Sequence, residues 1–265
     1  MAEKKSPKVF LVTPTLDGKV TAEYALAATQ LQSVLYSHGI NFQLHLNIGN
    51  SLLASARNKL ADDFLSSNAD YLLMVDSDIA YRAQDVVAAL PHLDDAIVAF
   101  PCSKKFTNWD RVAKTVRNNP DFPAQAISAI MGDANFHLGE SDYLRPNEHG
   151  LAKVKWIGTG IMMTSRKALE KIIAAEPENK TMAHNKVIYE FFRYDMEWEE
   201  KDGVKYKGYS GEDVSFCVMA RNAGVEVYAK LDALTTHSGF MTYRFDATAV
   251  AKIKKIPDDI KRLGT

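Results

Sequence analysis

The sequence predicts an α/β fold, with a mostly parallel central sheet flanked by helices and a smaller antiparallel portion towards the C terminus. Three observations carry this expectation. Apolar runs of strand length alternate with helical periodicity from Lys8 to Phe100. The run Tyr71–Val75 has no charge, Gly or Pro, as befits a strand buried on both faces, and it stops at Asp76-Ser77-Asp78. Beyond Phe100 the alternation fails, and Asp195 to Tyr209 has the pattern of a hairpin turning at Asp202-Gly203.

In chain order, Lys8 to Thr13 reads as a first buried strand ended by Pro14 and the turn Asp17-Gly18. Thr21 to Tyr36 carries Ala25, Ala28, Leu31 and Leu35 at helical spacing, with Gly39 as its stop. Asn41 to Leu46 alternates like a strand, Ser51 to Leu65 returns to helix, and Tyr71 opens the next strand. This βαβαβ order predicts parallel pairing through right-handed crossovers. A helix over Arg82 to Leu90 and a strand over Asp95 to Phe100 follow. Lys104 to Gly150 reads as long, polar and irregular, with one short helix near Ala124 to Ile130. Strand segments at Lys153–Ile157 and Ile161–Thr164 flank Gly158-Thr159-Gly160, and Ser165 caps a helix to Ala175. Val187 to Phe192 is apolar, Gly211 to Asn222 is helical with Gly224 as its stop, and Val225 to Tyr228 is a late strand.

A chain of 265 residues, 46% hydrophobic and 25% charged, is an ordinary globular composition with room for one large core. The formal net charge of -1 argues against a nonspecific nucleic-acid binder or a polybasic membrane anchor. Met1 to Pro7 has no apolar core and is expected to be a flexible tail rather than a signal peptide. No run is long enough for a transmembrane segment. Two cysteines, Cys102 and Cys217, are too few for a disulfide framework and lack metal-site spacing. A cytoplasmic protein is the expectation.

The chemistry-bearing residues sit at element ends. Alternation sends Asp76 and Asp78 to the same side beyond a strand, where ligands of open α/β sheets bind. Paired carboxylates repel unless a cation lies between them, and hard oxygen ligands suit Mg2+ or Mn2+ shared with substrate phosphates. Taken alone, an Asp-x-Asp also fits a helix cap and a loop. Glu212 and Asp213 open a helix, which the macrodipole favours, and either carboxylate there can serve as a general base. His237 follows the late strand among small polar residues and could complete a metal site begun by Asp78. Arg57 suits phosphate or carboxylate, Gly158-Thr159-Gly160 could let backbone approach a sugar ring, and Trp156 could stack on one.

Together, Thr13-Pro14-Thr15, Ala56-Arg57-Asn58, Asp76-Ser77-Asp78, Gly158-Thr159-Gly160, Gly211-Glu212-Asp213 and His237 resemble the GT-A-type glycosyltransferases that use nucleotide-sugar donors. The resemblance spans Lys8 to Gly239 and reaches phage- and virus-type enzymes of that kind. It implies one GT-A-like domain over 8–265, with a nucleotide-sugar half at 8–100, an acceptor and catalytic half at 101–245 and an extension at 246–265. It implies that Thr13, Pro14, Thr15 and Arg57 line the nucleotide pocket along with the Asp76-Ser77-Asp78 motif. Asp76 would face the ribose or a metal-bound water, and Asp78 and His237 would hold the cation at the diphosphate of a UDP-sugar. Asp213 matches the base of inverting members, with Glu212 nearer the acceptor. The transfer would be of a hexosyl or pentosyl group, Trp156 and Gly158–Gly160 lying on the acceptor side.

The acceptor is read two ways. Lys104, Lys105, Arg111, Lys114 and Arg117 interleave with Phe106 and Trp109, either as a lid-like loop or as an anionic-acceptor surface. The second would take a modified base in DNA, and the first leaves a saccharide or glycoconjugate. Two other functions compete: a nucleotidylyltransferase, for which Thr13 to Lys19 supplies no Gly-rich basic signature, and a non-catalytic nucleotide-sugar or glycan-binding module.

Overall fold

The structure, a computed structural model, describes residues 6–138, 145–183 and 185–239. Most of the expected N-terminal tail and all of the expected 246–265 extension lie outside the described residues. Strands β1 (Lys8–Thr15), β2 (Asn41–Ile48) and β3 (Tyr71–Val75), with helices α1 (Ala22–Ser37) and α2 (Leu53–Ser66) between them, form the expected βαβαβ unit. Thr21 caps α1 by accepting from the Tyr24 amide, and Gly39 beyond its end takes a φ of 70°. Strand β4 (Ile79–Tyr81), helix α3 (Ala83–Ala89) and strand β5 (Ala96–Ala99) follow.

The stretch expected to be irregular contains more order than its sequence announces. It holds α4 (Trp109–Asn118), α5 (Ile127–Ile130) and β6 (Phe136–His137). Helix α4 is capped by Asn108 and buries only Val112, so its polar composition hid a surface helix. Next come β7 (Leu151–Lys153), β8 (Trp156–Ile157), β9 (Ile161–Ser165) and α6 (Arg166–Ala175), the last capped by Ser165 as expected. The pair β10 (Lys180–Ala183) and β11 (Lys186–Tyr189) precedes the hairpin of β12 (Asp195–Lys201) and β13 (Val204–Ser210), which turns at Asp202-Gly203 as the sequence predicts. Helix α7 (Glu212–Asn222), β14 (Glu226–Lys230) and β15 (Thr235–His237) complete the described chain.

The central sheet has seven strands in the order β2-β1-β3-β9-β5-β14-β7. Parallel pairing holds for β1 with β2 and β3, and for β14 with β5. The sheet is mostly parallel, as expected, and its two reversed strands are β9, antiparallel between β3 and β5, and β7, antiparallel beside β14. Each strand face builds a core. Phe10 and Val12 meet Leu72 and Met74 beneath α2, α6 and α7, while Val9 and Leu11 meet Leu73 and Val75 beneath α1 and α3. Burial on both faces is why these strands read as unbroken apolar runs.

Candidate functional site

The reversed strand shapes the site. Because β9 runs against β3, its first residues lie at the carboxyl end of β3, and the Asp76 amide donates to the Gly160 carbonyl at 2.9 Å. The short pairing of β15 with β4 sets His237 opposite Ile79, and the Ser238 amide donates to the Asp78 carbonyl at 2.9 Å. Helix α7 brings Glu212 and Asp213 to the same opening. One cleft is thus lined by Arg57, Asp76, Gly158–Gly160, Glu212, Asp213 and His237, with Lys104, Asn135, Cys102 and Ser103 closing its rim.

Arg57 is the joint of this cleft. It is only 2% exposed, and it donates to Asp76 Oδ1 and to Glu212 Oε1, each at 2.7 Å, and to the Thr159 hydroxyl. Its Nε has no hydrogen-bond partner among the described residues. The guanidinium therefore ties the end of β3, the loop before β9 and the start of α7 together, rather than standing open to solvent. Burial pushes the Glu212 carboxyl above its ordinary range, and the Arg57 charge offsets this only in part.

Asp78 and His237 form a second cluster. His237 Nδ1 donates to the Ser103 carbonyl at 2.7 Å, which leaves Nε2 facing Asp78 Oδ1 at 3.2 Å. Two acceptors at that separation face each other only around a proton or a cation. With a proton, the hydrogen bond to Asp78 raises the His237 pKa. Burial pulls Asp78 upward, yet hydrogen bonds from His237 and Lys105 and their charges hold it below the usual carboxylate value. Lys105 reaches the other Asp78 oxygen, and its stem lies against Gly239, where a Cβ would meet Lys105 Cδ at 3.0 Å.

This donor set fits a hard divalent cation, with the imidazole tautomer fixed by a backbone carbonyl as metal-binding histidines usually are. Among the described residues no three His, Cys, Asp or Glu side chains stand close enough to hold a metal. Asp76, expected beside the cation and facing the ribose or a metal-bound water, gives one oxygen to Arg57. An ion here would rest on Asp78 and His237 and complete its shell from water and substrate phosphate, as Mg2+ commonly does.

Other expected residues fall elsewhere. Thr13, Pro14 and Thr15 are buried in β1, the Thr13 hydroxyl pairing with Tyr24 and the Thr15 hydroxyl donating to the Lys19 carbonyl. They do not line the cleft. Ser77 supports α1 through its carbonyl, which accepts from the Thr21 amide. Trp156 stacks on His137, ring centroids 5.9 Å apart, outside the cleft lining. Of the basic segment, Lys104 lines the cleft, Lys105 is on Asp78 and Arg111 pairs with Asp133.

The sequence reading missed Asn135, whose amide donates to Asp213 Oδ2 at 3.2 Å. A Cβ on Gly158 would meet that amide nitrogen at 3.0 Å, so this glycine makes room for Asn135 rather than for a ligand alone. Ser103 was also missed, and it acts through its carbonyl, which leaves no side-chain signal. Cys102 is partly buried at the rim, and its thiol is pushed up to about 12, so it stays protonated.

No protein-family model matches the sequence, and no curated protein matches it. Among solved structures the chain is similar to A197 from STIV, with 16% identity and a TM-score of 0.46 over 88% of this chain and 86% of that one. It is similar to a glycosyltransferase involved in glycosylation of the major capsid of PBCV-1, with 11% identity and a TM-score of 0.30 over 62% of this chain and 63% of that one. It is also similar to a Drosophila β-1,4-galactosyltransferase 7 in complex with manganese, UDP-Gal and xylobiose, with 14% identity and a TM-score of 0.39 over 94% of this chain and 81% of that one. Similarity at this level assigns no activity, and the functional reading below rests on the cleft itself. No helix of the described residues is long and apolar enough to cross a membrane.

Proposed function

We propose that the protein is a metal-dependent glycosyltransferase that moves a hexosyl or pentosyl group from a nucleoside-diphosphate sugar, with UDP as the nucleotide, to an acceptor hydroxyl. The observation that carries this reading is one cleft lined by Glu212 and Asp213 on one side and on the other by His237, whose Nε2 lies 3.2 Å from Asp78 Oδ1. The first suits a base for an incoming hydroxyl, the second a cation at a departing diphosphate. Arg57 holds the two sides in register.

A divalent ion, when bound at Asp78 and His237, acts as a Lewis acid for the charge that gathers on the leaving nucleotide. Asp213 accepts the proton of the acceptor hydroxyl as it attacks the anomeric carbon, a contribution of roughly 10²- to 10⁴-fold for a placed base. Asn135 and the first-turn amide of Val214, which donates to Asp213 Oδ1 at 2.8 Å, orient that carboxylate. Glu212, locked to Arg57 beside Asp213, would shape the pocket for the sugar. One displacement by one base inverts the anomeric centre.

The test is release of free nucleotide from a panel of nucleotide sugars with Mn2+. Metal-dependent release that disappears in Asp78→Ala and Asp213→Asn, both still folded by circular dichroism, supports the reading. Formation of a nucleotide sugar from sugar phosphate and nucleoside triphosphate would make the protein a nucleotidylyltransferase instead. Tight donor binding without turnover would make it a binding module.

A further inference from the structure

The cleft does not end at Asp213. Strand β13 finishes at Ser210 and runs through Gly211 directly into the two acids, so the β12–β13 ribbon springs from the catalytic edge. It forms a two-stranded sheet of its own and pairs with none of the seven core strands. Side chains two apart on a strand share a face, as do residues directly opposite in an antiparallel pair. Met196 is opposite Tyr209, so these two share a face at the base of the ribbon, and Tyr194 stands just before the first strand at the same end. All three are exposed, Tyr209 at 80%. An apolar patch this open has no role in the core.

The patch continues into a hollow. Tyr194 and Arg193 line a cavity of about 410 Å³ together with Leu52, Asn58, Glu190 and Phe192, and Leu53, next to Leu52, lines the catalytic cleft. That volume lies within the roughly 300–1,000 Å³ of small-molecule sites. Tyr194 also stands close enough to Glu212, Arg57 and Asp213 to feel their charges.

We propose that this hollow and the Tyr194–Met196–Tyr209 patch form the acceptor track, and that its occupant is a neutral oligosaccharide. The substrate class follows from surface chemistry. Tyrosine rings offer flat faces for the apolar C–H side of a sugar and hydroxyls at their edges, and Glu190 and Arg193 bring hydrogen-bonding groups to the hollow. The register puts Glu200 opposite Lys205 on the Met196–Tyr209 face, with Lys207 between Lys205 and Tyr209. Two lysines against one carboxylate offer a polyanion few phosphate contacts, and a neutral ligand needs none, so a neutral occupant is the better match to this face. Two cations of the basic segment read from the sequence, Lys105 and Arg111, are already paired with carboxylates. As an acceptor site the track rests on the glycosyltransferase reading; as a saccharide site it stands by itself.

The experiment is retention on an array of neutral and acidic oligosaccharides, with an oligothymidylate alongside, at low and high salt. The full chain is compared with a Tyr209→Ala/Met196→Ser variant and, separately, with Tyr194→Ala, each matched to the parent by thermal melting. Expected is salt-insensitive retention of a neutral oligosaccharide, weakened about tenfold for each ring removed. Absence of any retained neutral oligosaccharide overturns the proposal, as does retention that both variants keep in full or salt-sensitive capture of the oligothymidylate by this face. Nucleotide release by the unmodified chain is measured in parallel. Ring-dependent retention without release leaves the saccharide track standing and removes the transferase; release with ring-independent retention does the reverse.

Discussion

Replacing Arg57 with Met tests the joint between the two sides of the cleft. Methionine keeps an apolar stem within the α2 packing and removes the guanidinium, which leaves Asp76, Glu212 and Thr159 without their shared donor. The two carboxylates pay differently. Asp76 is 30% exposed and rehydrates, so its share is worth about 1 kcal/mol or less. Glu212 is 12% exposed, and stranding a buried carboxylate costs about 3 kcal/mol when it stays ionised. The cost is limited by protonation, because burial already raises the Glu212 pKa and loss of the Arg57 charge raises it further. A carboxyl with a raised folded-state pKa keeps a proton that the unfolded chain releases. Stability is therefore lost as pH rises from the unfolded value through the folded one. Urea unfolding should show the full deficit of about 3 kcal/mol near pH 8 and a smaller one near pH 5. Near pH 8 the melting temperature should drop by about 6–12 °C for a domain of this size. A deficit below about 1 kcal/mol at both pH values would refute this account. It would mean that Arg57 is solvated and free for a substrate phosphate, as its residue type alone suggests.

Lys105→Met removes the ammonium that shares Asp78 with an incoming cation. Mn2+ binding followed by electron paramagnetic resonance should tighten about fivefold, the worth of ~1 kcal/mol for a partly exposed ion pair, and unchanged affinity would show that Lys105 does not compete. The His237 ring should titrate above its ordinary value by NMR and move back towards it in Asp78→Asn, since the hydrogen bond to Asp78 raises it. Its stabilising share is full below the ordinary histidine pKa and is lost as pH rises through the raised one. The share from Asp78, held low, appears above the ordinary carboxylate pKa and is lost on acidification. A ring whose titration ignores Asp78→Asn would break the pairing. Gly158→Ala should displace Asn135 and, through it, Asp213, lowering the rate of nucleotide release about tenfold while costing under about 1 kcal/mol of stability. An unaltered rate would separate Asn135 from the base.

Which parts of the fold were legible follows from where each element buries its side chains. Strands β1 and β3 face a core on both sides, so their apolar runs stand out, and the Ser165 cap marks a helix start that the structure confirms. Helix α4 buries Val112 alone, so no stripe announced it. Strands β4 and β15 have three residues each and exist because chain segments far apart in sequence pair with one another. No periodicity can report a strand whose order comes from its partner. The direction of β9 was equally hidden. Alternation gives a strand no sense of up or down, and the direction shows only in the pairing of β9 with β3 and β5, segments far from it in sequence.

That reversal also separates what was legible in the site from what was not. Acids at strand and helix ends declare themselves, because a carboxylate that follows an unbroken apolar run has nowhere to go but the sheet edge. Arg57 was visible as a residue but not as a joint, although the signal was present. It stands three residues before Leu60 and seven before Phe64, on the buried row of α2, where an arginine has to find partners inside the protein. Those partners come from three distant parts of the chain, and one of them, Thr159, reaches the site because β9 runs backwards. A parallel strand in that slot would begin at the opposite edge of the sheet and carry the glycine-flanked threonine away from Asp76. The antiparallel insertion is thus the feature of the fold on which the cleft depends, and the guanidinium of Arg57 is the contact through which it acts.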